Sequence, residues 1–384
     1  MFSPVTSRDD APAVMIAALS GRALAACARR GGYRPLVADL FGDCDTQDLA
    51  EASERVPGNL TRGFVPEALL AALDRLAAGR LAAGRPVIGV VTGSGFEDRP
   101  ELLRAIAARH VLLGNAAETV AALKDPLAFA AICARAGIAH PEIRQDRPDE
   151  GMWLRKLTGG SGGVHVVASP RRGDARRGRY YQRRVEGVPI SVAFLAAGGS
   201  CRVLGLSRQW ADPAPGRPFR YGGAVRPAPV GPVRASEMCE AVMRLVPHTG
   251  LRGLNSADFL LREDGFDLLE VNPRPGATLD IFADRDGALF RQHLDACAGV
   301  LPDTDLALPP ASAAAIVYAT ADIRVPPDFT WPAWAADRQP AGDPVPRGAP
   351  LCTVCADAAD ADTAEACVRH RAAAILARLL QVPA

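Results

Sequence analysis

The sequence predicts a mixed chain, an α/β region with a parallel sheet followed by an α+β region built from antiparallel hairpins. Three observations predict it. Between residues 14 and 91 short apolar runs alternate with helical patterns, the rhythm of a parallel sheet. Residues 152–167 and 256–272 each read as a strand, a turn and a returning strand. The 384 residues also exceed what one hydrophobic core usually supports, so two or three domains around a shared cleft are expected.

Composition narrows the class of function. Forty-four basic residues against 43 acidic ones leave a net charge of +1 without a basic block, which gives no electrostatic footprint for nucleic acid. No apolar run is long enough to span a bilayer, and no charged start leads into an apolar stretch, so no membrane partner and a cytoplasmic location are expected. Nine cysteines at irregular spacing fit reduced thiols better than a disulfide framework. Of the 44 basic side chains only Lys124 and Lys156 are lysines. A compact ammonium suits phosphate as a point charge, while chance survival of two lysines is the plainer alternative.

In chain order, the apolar run 14–19 leads through Ser20-Gly21 into a helical pattern ending at Gly31-Gly32. Leu36-Val37-Ala38 reads as a second buried strand, and 86–91 as a third after a long Ala/Leu helix. Ser20-Gly21 is not a GxGxxG fingerprint, so no dinucleotide is inferred. The loops Ser20-Gly21-Arg22 and Thr92 to Glu97 follow strand ends, where open α/β sheets bind ligands; ordinary connecting turns are an equal alternative.

Leu112 to Asn115 closes the first region. Glu118 to Lys124 then reads as one helical piece, and Asp125-Pro126 supplies an N-cap and an N1 proline for a second helix stopping at Gly137. Lys124 therefore sits beside a helix start whose free amides favour anions. Residues 152–167 carry Lys156 on a strand, then Gly159, Gly160, Ser161, Gly162 and Gly163, then a return from Val164. Such a loop lays backbone N–H groups against phosphates because no Cβ obstructs the approach. It lacks the spacing and the following helix of a Walker A loop, and a merely flexible glycine hairpin is the alternative.

Tyr180 to Gly187 reads as a strand ending in a turn, where Gln182, Arg184 and Val185 can meet an adenine edge and Glu186 a ribose. Cys201 to Gln209 and Arg220 to Gly223 bracket a Pro-rich loop, taken to contain Trp210, that could cover a substrate. Ser256 to Leu261 and Phe266 to Asn272 then form a hairpin around Glu263-Asp264-Gly265. It brings Asp258 beside Glu270, and Glu270 and Asn272, two apart, share one face. Hard oxygen ligands on one face suit Mg²⁺ completed by phosphate and water; an ordinary hairpin with solvated acids is the alternative.

Beyond residue 305 the chain reads as a separate small piece: a strand at 313–319, a Pro-rich loop at 331–348, a strand at 350–356 and a closing helix at 362–380. Cys352 and Cys355 form a CxxC without the second pair of a zinc site. His165, His248 and His370 are scattered, and only His165 flanks a loop of interest.

Taken together, a lysine at a helix pair, a lysine before a glycine-rich loop, Gln-x-x-Val-Glu-Gly at 182–187, Asp258 and Glu-x-Asn-Pro-Arg at 270–274 resemble the ATP-grasp superfamily of ligases. The forms Gly-Phe-Glu at 95–97, Gly-Asn at 114–115 and Pro-x-Ser in the strand after the hinge are similar to a carboligase group related to biotin carboxylase, and more loosely to tyramine–glutamate ligases. The resemblance implies a Rossmann-like N-terminal domain (1–115), a two-subdomain ATP-grasp fold (116–305) and a small C-terminal α+β subdomain (306–384).

It further implies ATP and two Mg²⁺ ions as cofactors. Lys124 and Lys156 would bind the α and β phosphates, Gly159 to Gly163 would close on the β and γ phosphates, and Gln182 to Val185 would hold adenine. Asp258, Glu270 and Asn272 would hold the metals, and Arg274, acting with Lys156, would touch the transferring phosphoryl group. Three departures stand out: Gln182 replaces a frequent Glu, Pro189 takes the place of a ribose-binding acid, and Asn255 stands where some ligases have an arginine, leaving Arg252 or Arg208. The implied activity is an ADP-forming carboxylate–amine ligase, with a glutamate-type amino acid as a substrate, in cofactor or small-molecule biosynthesis. A small-molecule kinase and a non-catalytic ATP-binding regulatory protein are the alternatives. The expected partners are a small carboxylate and an amine, with a homodimer as the assembly to test.

Overall fold

The computed structural model describes residues 11–82, 84, 86–168 and 178–380. Strands Ala13–Ala17, Arg34–Asp39, Ala52–Arg55 and Val87–Thr92 form a parallel sheet in which Ala13–Ala17 lies between Arg34–Asp39 and Val87–Thr92. Val14 and Ile16 enter one core and Met15 and Ala17 another. Burial on both faces is why this strand reads as an unbroken apolar run. The edge strand Ala52–Arg55 is partly exposed and polar, so it carries no such signal.

Helices Ala117–Lys124 and Pro126–Arg135 follow. The Asp125 carboxylate accepts from the Leu127 and Ala128 N–H groups at 3.0 and 2.8 Å, satisfying two amides that the helix start leaves free. A small antiparallel sheet then joins Ile143–Arg144, Arg179–Arg183, Trp153–Leu157 and Val167–Ala168. The returning strand begins at Val167 rather than at Val164 as expected. Gly162 and Gly163, at φ +65° and +71°, keep the chain turning, and left-handed backbone cannot continue a ladder.

The largest element is an eight-stranded sheet. Its spatial order is Phe266–Asn272, Gly253–Leu261, Val188–Ala197, Ser200–Ala211, Tyr221–Arg226, Ala311–Tyr318, Pro350–Ala358 and Ala335–Ala336. Phe194, Phe259 and Leu268 pack with Met238 and Val242 of helix Pro232–Leu245 in one core. Val368, Ile375 and Leu379 of helix Ala361–Leu380 close another over the far strands.

Two expectations are corrected here. Trp210 lies within strand Ser200–Ala211, opposite Gly223, and not in the Pro-rich loop. A Cβ on Gly223 would come within 2.3 Å of the indole, so the glycine makes room for the ring on the sheet. The region beyond 305, expected to stand apart, extends the same sheet: Ala311–Tyr318 pairs with Tyr221–Arg226 and with Pro350–Ala358. A lone hairpin would leave its apolar faces uncovered, and joining an existing edge buries them. Cys352 and Cys355 lie on strand Pro350–Ala358 as free thiols. Among the described residues no helix is long and apolar enough to cross a membrane.

Candidate nucleotide and metal site

The two sheets and the N-terminal domain enclose a cavity of about 1380 Å³. Strand register builds its floor. Asp258 stands opposite Glu270 across one ladder and opposite Ser191 across the other, while Asn272 follows two residues after Glu270. Ser191 Oγ donates to Asp258 Oδ1 at 2.6 Å and Asn272 Nδ2 to Asp258 Oδ2 at 2.8 Å. Gln209 Nε2 adds a longer contact to Asp258 at 3.4 Å.

Lys124 arrives at the end of its helix. Its Nζ lies 3.4 Å from Glu270 Oε2 and donates to Asn272 Oδ1 at 3.2 Å. Lys156, on the small sheet, is also buried and faces the same cavity. Burial pulls its ammonium below its ordinary range, with Glu270 acting in the opposite direction. Burial likewise raises the Asp258 carboxyl, and repulsion from Glu270 adds to this, reaching about 6. Burial would raise Glu270 too, but Lys124 and then Lys156 hold it below the usual carboxylate range. The Glu270 side chain keeps 35 % of its surface, and this surface lines the cavity.

Arg274 is anchored from the loop after strand Val87–Thr92. Its Nε donates to Glu97 Oε1 at 2.7 Å, and its Nη2 lies 3.5 Å from Asn272 Oδ1. Against the cost of burial, Arg274 and then Lys124 draw the Glu97 carboxyl down to about 2. A Cβ at Gly276 would meet Arg274 Nη1 at 2.9 Å, so the glycine leaves space for the guanidinium.

The glycine loop forms the roof. Gly159 packs on Asp98, where a Cβ would lie 2.5 Å from the backbone, and Gly160 lies against the His165 ring. Tyr221 N donates to Gly162 O at 3.0 Å, and a Cβ on Gly163 would collide with Phe219 O at 1.7 Å. Gln182, Arg184, Val185 and Glu186 also line the cavity. The Arg184 backbone N–H is already donated to Met152 O at 2.8 Å. Glu186 is exposed and lies 3.4 Å from the Arg184 guanidinium.

The structure therefore brings Lys156, Asp258, Glu270, Asn272, Arg274 and the loop from Gly159 to Gly163 to one cavity, with Lys124 behind its wall against Glu270 and Asn272. Among the described residues no three His, Cys, Asp or Glu side chains converge as a ready metal cage. The donors present are two carboxylates and an amide, a set that fits Mg²⁺ when phosphate oxygens and water supply the rest of the shell. Sequence reasoning quoted Glu97, Asn115 and Ser191 as motif residues without giving them these contacts, and it missed Gln209. Asn115 donates to Asn255 Oδ1 and Pro273 O at 2.8 and 2.9 Å and accepts from Arg252 N at 2.7 Å. Asn255 thus serves as a structural clasp. Arg208 is ion-paired with Glu365 of the C-terminal helix.

Residues 124–278 match the model of the ATP-grasp domain. Among solved structures, the chain is similar to biotin carboxylase from Campylobacter jejuni, with a TM-score of 0.71 and 15 % identity over 92 % of this chain and 89 % of that one. It is similar to the biotin carboxylase domain of Hydrogenobacter thermophilus 2-oxoglutarate carboxylase, with a TM-score of 0.69 and 11 % identity over 93 % and 88 %. It is also similar to N5-carboxyaminoimidazole synthetase from Staphylococcus aureus, with a TM-score of 0.66 and 12 % identity over 94 % and 97 %. No curated protein sequence matches it. The chain has the mixed α/β ATP-grasp fold, and the match to the ATP-grasp domain lies within residues 124–278.

Proposed function

We propose that this protein is an ATP-dependent, ADP-forming ligase that activates a carboxylate as an acyl phosphate and couples it to an amine. The observation that carries the reading is the convergence of Lys124 and Lys156 with Asp258, Glu270 and Asn272 beneath one glycine loop. Two buried ammonium groups facing carboxylates and an amide make a site for a polyphosphate and its counter-cation. The Hydrogenobacter thermophilus domain was solved with MgADP and bicarbonate, as a dimer, which supports the same cofactor class here and makes a homodimer the assembly to look for.

In this reading Lys124 and Lys156 hold the α and β phosphates, and Gly159, Gly160, Ser161, Gly162 and Gly163 close on the β and γ phosphates. Gln182 and Val185 meet adenine. Arg184 contributes through its carbonyl, because its N–H is donated elsewhere. Glu186 is the ribose candidate. Asp258, Glu270 and Asn272 hold Mg²⁺, which would offset charge on the phosphate oxygens. Residues 1–115 would supply the substrate-facing wall, 116–305 the nucleotide site and 306–384 the far end of the large sheet.

The substrate carboxylate oxygen attacks the γ phosphorus, and the bond to the β–γ bridging oxygen breaks as ADP leaves. Arg274 and Lys156 face the charge that develops on the transferring group. The amine nitrogen then attacks the acyl carbon, phosphate departs, and the nitrogen loses a proton. The closed loop over Gly162 and Gly163 keeps water from the acyl phosphate.

The test is a screen of purified protein with Mg²⁺ and ATP against carboxylates, including glutamate, singly and in pairs with amines, following nucleotides and new masses. ADP, phosphate and a condensed product that form only with a particular pair are expected. A phosphorylated product from one substrate would show a kinase instead. ATP binding without turnover across the screen would favour a regulatory role.

A further inference from the structure

The cavity has a second charged end, away from the lysines. Arg22, at the start of helix Arg22–Arg30, makes a two-pronged contact with Asp280 at 2.5 and 2.7 Å. It also pairs with Asp337 at 2.9 Å, and Asp45 lies 3.8 Å from its Nε. Asp337 is held further by Ser20 and Thr353, and it carries φ +53°, the one positive value among the described non-glycine residues. Asp45 accepts from the Asp337 and Arg338 N–H groups, and Arg338 reaches Asp48. Asp39 accepts from the Gly21 and Gly42 N–H groups.

Asp43 completes the group and is the odd member. It is fully buried and lines the cavity. Its Oδ1 accepts from Gln339 Nε2 at 3.0 Å, but its Oδ2 has no hydrogen-bond partner among the described residues. A buried acceptor left open costs free energy that a fold avoids unless something fills the place. Arg22 pairs with Asp280 and Asp337 and lies near Asp45, and Arg338 approaches Asp45 and Asp48, so among the described residues Asp39 and Asp43 have no ion pair. Burial, followed by the neighbouring carboxylates, raises the Asp43 carboxyl to about 9.

Resting on the ligase reading, we propose that this acidic end binds a cationic ammonium group of one substrate, with Asp43 Oδ2 accepting from it. The amine partner would then carry a second, unreacting ammonium. An ammonium group needs one strong acceptor and a surrounding negative field. A divalent metal would need several open oxygens, and those of Asp280, Asp337 and Asp45 are already taken by Arg22, Thr353 and backbone donors.

The experiment titrates 1,4-diaminobutane and 1,4-butanediol into the full chain with MgADP bound, by calorimetry, and measures MgADP affinity separately. The diamine should bind at least about tenfold more tightly than the diol, and Asp43→Asn should remove that advantage while leaving MgADP affinity unchanged. Hydrogen–deuterium exchange of the wild-type protein with diamine or diol present, read by peptide mass spectrometry, gives a result that does not depend on folding of the variant. Slower exchange in the peptide around Asp43 is expected with the diamine and not with the diol. Equal binding of diamine and diol, or no added protection around Asp43, would overturn the proposal. Absence of MgADP binding in the wild type would instead overturn the ligase reading.

Discussion

Glu97 follows a strand of the parallel sheet and Arg274 a strand of the eight-stranded sheet, and they meet as a buried pair, Nε to Oε1 at 2.7 Å, with side chains 3 % and 13 % exposed. Glu97 Oε2 accepts from the Gly95 and Phe96 N–H groups at 2.7 and 3.0 Å. The carboxylate is thereby fixed to its own loop and fixes the guanidinium in turn. Arg274 stands two residues after Asn272, so one loop of the parallel sheet orients the end of the strand that carries Glu270 and Asn272.

Glu97→Gln keeps the shape and removes the charge. Turnover should fall by about tenfold or more as Arg274 loses its orientation, with MgADP affinity little changed. Arg274→Ala should cost about two to three orders of magnitude in kcat. Steady-state kinetics beside nucleotide titration separates the two effects, and equal losses in binding and turnover would count against a positioning role.

The same pair sets an acid limit. The Glu97 carboxyl is lowered in the fold from 4.5 to about 2, so its contribution is complete above the unfolded value and is lost as pH falls towards the folded one. The linkage is on the order of 3 kcal/mol. Chemical denaturation of the wild type from pH 6 to about 2.5 should show that loss, and Glu97→Gln should flatten it.

Glu270→Gln removes the charge that Lys124 and Lys156 both face. Metal-dependent turnover should drop by about two to three orders of magnitude with the fold retained, as circular dichroism would show. Activity at the wild-type level would sink the metal assignment.

Lys156→Met places an apolar chain where the buried ammonium stands. MgATP affinity should weaken by about tenfold or more, the scale of a lost charge-assisted contact. A calorimetric titration with a non-hydrolysable ATP analogue measures it, and unchanged affinity would mean that the glycine loop covers something other than phosphates.

Gly162 and Gly163 offer a matched pair. Both hold a left-handed backbone, which costs an alanine about 1–2 kcal/mol. An added Cβ meets nothing within 4 Å at Gly162 but Phe219 O at 1.7 Å at Gly163. Gly163→Ala should therefore open the roof, raising futile ATP hydrolysis and proteolysis of the loop, whereas Gly162→Ala should change both little. Similar behaviour in the two variants would separate loop closure from this contact.

What the sequence makes legible is local. The buried run at 14–19, the Asp125 cap and the Asp258–Glu270 register all follow from patterns within a few residues of one another. Ala52–Arg55 escapes because an edge strand needs no apolar alternation. The Glu97–Arg274 pair spans 177 residues and Arg22–Asp280 spans 258; no periodicity links such positions. Glu97 sits in a loop whose sequence suggests a ligand contact, yet only the folded sheet shows which side chain it grips. Trp210 was misplaced because the nearby prolines, rather than its glycine partner across the sheet, dominate the local pattern.

The eight-stranded sheet also acts as a ruler. Asp258 and Glu270 are carried at one margin, and Thr353, which holds Asp337, near the other. Strands stand about 4.8 Å apart, and their spacing is set by backbone hydrogen bonds. The roof of Gly159 to Gly163 hangs from the smaller sheet, so the distance between the two margins does not depend on it. Choice among substrates would then turn on span: a molecule too short to reach both margins would leave one charged end unanswered, however well it fits the other.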